Sequence, residues 1–93
     1  MQDDAFEWDD DKARSNLAKH KVTFDVARLA FRDADGIDEP DDSMDYGEER
    51  FNRFGLVNGR LLVVTYCIRA SRIRIITARK ASKGEHETYF NRP

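Results

Sequence analysis

The feature that most constrains this chain is the run RFNRFGLV-NG-RLLVVTYCIR-AS-RIRIITARK, residues 50–80. Three stretches rich in β-branched, aromatic and aliphatic residues are separated by short breaks. Asn58-Gly59 is the strongest short hairpin signal, because both residues tolerate the left-handed backbone of a type I′ turn. Ala70-Ser71 predicts a second tight turn. The middle stretch places Leu62, Val64, Tyr66 and Ile68 on one face and reads as a largely buried central strand. In the third stretch Arg72 and Arg74 alternate with Ile73 and Ile75. A three-stranded antiparallel meander is the expectation.

The flanks supply the cover. Phe6-Glu7-Trp8 reads as a short edge strand. Asp9 or Asp10 can cap a helix over DDKARSNLAKHK, with Ala13, Leu17 and His20 on one stripe and basic residues where it ends near Lys21. Thr23 can cap a second helix, FDVARLAF, whose Phe24, Ala27 and Phe31 recur at helical spacing beside Val26, Leu29 and Ala30. These two helices are expected to form a hairpin covering the sheet. Residues 32–49, RDADGIDEPDDSMDYGEE, have loop chemistry without periodicity. Their acidity suits either a solvated loop or a docking surface for a basic partner. Ser82 and Glu85 stand at capping-box spacing and open a C-terminal helix through about Asn91. The expectation is a single domain over residues 1–93 of α+β class. Its order is β-α-α-β-β-β-α: a small antiparallel sheet, two N-terminal helices on one face, and a C-terminal helix.

Charge divides the chain. Residues 1–49 carry 16 Asp and Glu against 6 Lys and Arg, a balance of −10. Residues 50–93 carry 2 acids against 10 bases, a balance of +8, which recovers the net −2. The C-terminal half has the footprint of a polyanion binder, unless the two halves are neighbours whose charges pair. Cys67 is the only cysteine, which fits a reducing compartment, and its apolar setting fits a buried thiol better than a nucleophile. No stretch approaches the ~18 apolar residues of a membrane span, and MQDDAFEWDD lacks signal-peptide features, so a cytoplasmic protein away from membranes is expected. His20 and His86 are isolated, and neither a metal-ligand constellation, a Gly-rich phosphate loop nor a nucleophile elbow is present. Metalloenzymes, NTPases and ordinary hydrolases are thereby disfavoured. No metal and no cofactor are expected.

Metal-free chemistry on a phosphate fits what is left. RNA cleavage needs no protein nucleophile, since the neighbouring 2′-hydroxyl attacks phosphorus. The protein must take that proton, stabilise charge on the phosphoryl oxygens and protonate the leaving 5′-oxygen. Arg79 and Lys80, at a strand exit just before a helix, are the foremost phosphate candidates. Arg50, Arg53, Arg69, Arg72 and Arg74 add cations on the sheet. In an ideal strand, however, Arg72 and Arg74 share a face and Arg79 lies on the other unless a bulge intervenes, so the arginines are not expected to line one groove. Glu85 is explained by the capping box, with catalysis as the alternative. His86 can move a proton near neutral pH or be a surface residue. Tyr89 can stack on a base or pack on the sheet. His20 suits a helix C-terminus, with chemistry as the alternative.

Taken in order, FEWD, then Asn16-x-x-Lys19-His20-x-Val22-Thr23-Phe24, Ala27, Phe31 and Asp33 form the first part of a pattern. Glu49-Arg50, Gly55, Asn58-Gly59-Arg60, Arg69, RIRIITARKAS, Glu85 and Tyr89 complete it. The chain so resembles the BrnT toxins of bacterial type II toxin–antitoxin modules, a branch of the RelE-like ribonucleases, from Phe6 to Tyr89. The resemblance implies a RelE-like fold that cleaves RNA without a metal and halts translation. It also implies a BrnA-type antitoxin that neutralises the toxin, and operator DNA binding through the antitoxin complex. It carries over Arg50, Arg69, Arg79, Lys80, Glu85 and Tyr89 as an active face. With the residues themselves, it makes Arg79, Lys80, Glu85, Tyr89 and His86 the catalytic candidates, and Arg50, Arg69, Arg72 and Arg74 the RNA-binding ones. Lys21, Thr77 and His86 depart from the usual glycine, serine and basic residue; the last leaves the proton-transfer group open. The alternative is a non-catalytic, toxin-like module acting as co-repressor with a DNA-binding antitoxin.

Overall fold

A computed structural model describes residues 1–42 and 47–92. The described chain forms a five-stranded sheet in the order β1-β5-β4-β3-β2. Its strands are β1 (Phe6–Glu7), β2 (Ile37–Pro40), β3 (Phe51–Val57), β4 (Arg60–Arg69) and β5 (Arg72–Lys80). Helix α1 (Asp10–His20) and helix α2 (Phe24–Ala27) precede the last four strands, and α3 (Lys83–Phe90) follows them. The α+β class stands as expected. So does the meander: Asn58 and Gly59 sit at φ 50° and 81°, Ala70 and Ser71 at 48° and 67°.

Three details differ from expectation. Within the acidic stretch, Ile37–Pro40 is a strand antiparallel to β3, with Ile37 opposite Phe54 and Pro40 opposite Phe51. Its residues beyond Ile37 are exposed, so no apolar alternation marks it, and Pro40 is tolerated because β2 is an edge. Residues 43–46 of the expected loop lie outside the described residues. The sheet is mixed rather than antiparallel, because β1 runs parallel to β5, pairing Phe6 with Ile73 and Glu7 with Arg74. Such a pairing joins positions distant in the chain and leaves no local pattern. The second helix tightens at Arg28 into a 3-10 turn that runs to Arg32. There the Ala30 carbonyl accepts from the Asp33 amide (3.4 Å) and from Arg53 Nε (3.2 Å), in place of an i+4 partner.

Two apolar clusters lie on opposite faces of the sheet. On one, Trp8, Val22, Phe24, Ala27 and Ala30 pack against Val57, Leu62, Val64, Ile75 and Ala78. Here Gly55 meets the Ala30 backbone so closely that a Cβ would overlap the Ala30 carbonyl oxygen and methyl group. Arg53 is absorbed on this face. It binds the carbonyl of Asp33 (2.6 Å) and Asp38 Oδ2 (2.7 Å), while Tyr66 donates its hydroxyl to Asp38 Oδ1 (2.7 Å). On the other face Phe54, Leu61 and Val63 pack against Tyr89 of α3, so α3 covers only one end of the sheet.

Helix α1 docks in an unusual way: its only buried residue is Asn16. The carboxamide lies along the edge of β5 beyond the reach of β1. Nδ2 donates to the carbonyls of Ala78 (2.9 Å) and Val22 (3.0 Å), and Oδ1 accepts from the Ala78 amide (3.0 Å). One side chain thus satisfies both backbone groups of an edge residue. Asn16→Ala, which strands these groups, is expected to cost about 3 kcal/mol and to lower the melting temperature by more than about 10 °C in a thermal scan. Gly55→Ala, whose methyl has backbone against it, is expected to cost about 2–3 kcal/mol in urea unfolding.

Candidate functional site

The face of the sheet that α3 leaves open is arginine-rich because of one bulge. In β5, Arg79 lies opposite Val63 and Thr77 opposite Thr65, but the next β4 residue, Tyr66, faces Ile75; Ile76 is skipped. The shift of one residue reverses the alternation. Arg74 opposite Cys67 and Arg72 opposite Arg69 then share the face of Arg79, while Ile73 and Ile75 turn to the helix-covered core. The separation expected of an unbroken strand is therefore absent. Arg79 and Lys80, adjacent in the strand, are not a pair: Lys80 faces Leu62, on the side of the helices.

Each arginine of this face has a partner. Arg79 Nη1 and Nη2 donate to Glu85 Oε1 (2.7 Å) and Oε2 (2.9 Å), a two-bond fork from strand to helix. Glu85 is also the third residue of α3 and closes the expected capping box. Its Oε1 accepts from the Ser82 amide (2.8 Å), and its own amide donates to Ser82 Oγ (3.3 Å). The Arg79 guanidinium, helped by the Ser82 amide, holds the Glu85 carboxyl down at about 2, against burial. Arg79 keeps 41% of its side chain exposed. At the other end Glu48 accepts from Arg50 Nε (3.2 Å) and from Arg69 Nη2 (3.2 Å), with Arg69 52% exposed. Arg74 binds Glu7 Oε2 (2.6 Å), and Arg72 Nε donates to the Asp3 carbonyl (2.7 Å). Acidic residues of the first half thus partner cations of the second, as the charge division allowed. Nothing local in the sequence marks Glu7 and Glu48 for this task.

The remaining candidates separate. Tyr89 is buried, its ring in the second cluster and its hydroxyl donated to Asp33 Oδ2. Burial and that carboxylate push the phenol up to about 12. Asp33 Oδ2 also accepts from the Leu56 amide (2.8 Å), so it ties α3 to β3. His86 is exposed and stacks on Phe90, ring centroids 6.0 Å apart. Cys67 is buried, and burial with the nearby Glu48 carboxylate raises its thiol, which disfavours a thiolate. Among the described residues no three His, Cys, Asp or Glu side chains gather as a metal site. No helix among them is long and apolar enough to cross a membrane.

The face combines exposed guanidinium groups, a carboxylate locked on one of them and an open sheet surface, which suits an extended polyanion. Comparison with known proteins bears on which polyanion. No curated protein matches the chain. The model of one family, described as the ribonuclease toxin, BrnT, of type II toxin–antitoxin systems, matches residues 8–85, most of the sequence, from just after β1 to the first turn of α3. A toxin of that kind has an antitoxin as its partner. The chain belongs to the BrnT family of ribonuclease toxins of type II toxin–antitoxin systems.

Proposed function

We propose that the protein is a metal-independent endoribonuclease that works in the cytoplasm, cleaves RNA and thereby inhibits translation. A BrnA-type antitoxin neutralises it, and the complex binds operator DNA through the antitoxin. The observation that carries the catalytic part is the Arg79–Glu85 fork at the end of the arginine face. A phosphate arriving at Arg79 competes with Glu85 for the same guanidinium edge. Once displaced, Glu85 loses the partner that holds its pKa near 2 and rises towards the ordinary carboxylate range, where it can accept the 2′-hydroxyl proton. The 2′-oxygen then bonds to phosphorus and the bond to the 5′-oxygen breaks, leaving a 2′,3′-cyclic phosphate. Arg79 stabilises the charge that builds on the phosphoryl oxygens.

His86, exposed beside Glu85 in α3, protonates the leaving 5′-oxygen. Arg69, Arg50, Arg72 and Arg74 hold flanking phosphates. Tyr89 acts by position, fixing α3 through Asp33 so that Glu85 meets Arg79. Lys80 stands outside this centre. The non-catalytic reading draws on the pairing of every site arginine in the free protein, which a binding module would also show.

Purified protein in EDTA is expected to generate new RNA 3′ ends carrying cyclic phosphate. Arg79→Ala is expected to slow this by about 10²–10³-fold with the fold intact by circular dichroism. Arrest of growth on induction that is unchanged by Arg79→Ala would favour the non-catalytic module. Glu85 also sets a pH signature. Its folded pKa lies near 2, below the ordinary 4.5, so its contribution to stability is complete above about 4.5 and is lost as the pH falls towards 2. Glu85→Gln keeps an acceptor for the Ser82 amide. Its stability is expected to fall less steeply than that of the wild type over this window in urea titrations, while its cleavage rate drops by about 10²-fold or more.

A further inference from the structure

The Asn16-x-x-Lys19-His20 motif is only half explained by the clamp on β5. Asn16 faces inward, while Lys19 and His20, with Lys12 and Ser15, turn to a cleft of about 240 Å³ between α1 and β5 that Ile76 and Thr77 close. Among the described residues no carboxylate lines it. Among the described residues the side chains of Lys12, Lys19 and His20 have neither a hydrogen-bond nor an ion-pair partner. The arginines of the sheet face are all paired; Lys12 and Lys19 are not.

The acids at the start of α1 are engaged elsewhere. Asp9 caps the Lys12 amide (2.9 Å), Asp10 binds the terminal amine (3.2 Å), and Asp11 pairs with Arg14. Two of the carbonyls in the last turn of α1 are occupied: the Lys21 amide donates to Leu17 (2.9 Å) and Lys21 Nζ to Ala18 (3.1 Å). Thr77 connects the cleft to the face already described. It is exposed, and it precedes Arg79 by two residues on the same side of β5, a step of about 7 Å. That step matches neighbouring phosphates on an extended strand.

We propose that this cleft is a second phosphate subsite, in which Lys12, Lys19, His20 and the Thr77 hydroxyl hold the backbone phosphate next to the one on Arg79. The inference rests on the ribonuclease reading of the sheet face. It makes the substrate single-stranded, because the chain must bend over the edge of β5 from the sheet onto α1, as a stiff duplex does not.

The test uses a fluorescent 2′-deoxy tetranucleotide, which binds without being cleaved, followed by anisotropy across a salt series. Lys12→Gln/Lys19→Gln is expected to bind about tenfold more weakly, and its slope of log affinity against log salt is expected to be smaller by about 1. Both replaced side chains are exposed, so the melting temperature should hold, and a purely structural effect would leave the salt slope alone. His20→Gln is expected to weaken binding in the same direction. Unchanged affinity and slope in the double variant overturn the subsite, and if Arg79→Ala still slows cleavage as expected the ribonuclease reading survives alone. A wild type that needs Lys12 and Lys19 to bind the probe, yet cleaves no RNA, supports the subsite and overturns that reading. Inorganic phosphate at matched ionic strength is expected to compete poorly; strong competition would make the cleft a site for the free anion and overturn its assignment to RNA.

Discussion

The pairing of the Asn16 carboxamide with both backbone groups of Ala78 is the contact on which the arrangement of this small protein turns. Helix α1 has little apolar surface to offer, since Asn16 is its one buried residue. Hydrophobic burial alone would leave it loosely placed. The amide fixes it by geometry instead, because an unpaired backbone group at that depth is costly. The same contact ends the sheet. Strand β1 is two residues long and serves only the start of β5, so Asn16 takes over where β1 stops. Placing α1 in this way seats Trp8, Val22 and Phe24 over the meander and brings the polar side of the helix to the border of the arginine face.

With the helices on one side and α3 over one end of the other, what remains open is a sheet surface whose cations are tethered. Glu7, Glu48 and Glu85 each hold one or two of them. Guanidinium groups in such pairs lose side-chain freedom before any ligand arrives, and that freedom is a real cost of binding. An incoming phosphate has to displace a carboxylate, but it meets donors already in place. At Arg79 the same carboxylate is the base of the proposed reaction, so binding and activation become one event.

Much of this was legible in the residues. Asn58-Gly59 and Ala70-Ser71 predict the turns of the meander, and Ser82 with Glu85 predicts the start of α3, because turn and cap chemistry are local. Strand β2 was not legible: an edge strand with Asp38, Glu39 and Pro40 has neither the alternation nor the composition of a strand. The parallel partnership of Phe6 and Ile73 was hidden for another reason, since it joins positions distant in the chain. Asn16, Asp33 and Gly55 were visible as members of a pattern, yet their reasons are tertiary: a strand edge, a buried hydroxyl and a backbone approach. The membership of Arg72, Arg74 and Arg79 in one face depended on a single skipped residue that alternation cannot announce.

That skipped residue bears on how the chain finds its pairing. Suppose β5 joined β4 without accommodating Ile76 and slipped by one position over its first half. Arg72 and Arg74 would then point beneath the helices, while Ile73 and Ile75 would turn to water. Guanidinium groups without acids in that apolar layer make the slipped pairing prohibitively costly. The two arginines therefore favour the observed register over the slipped one. A charge pattern that looks like ligand recognition also specifies which pairing of β4 and β5 is stable.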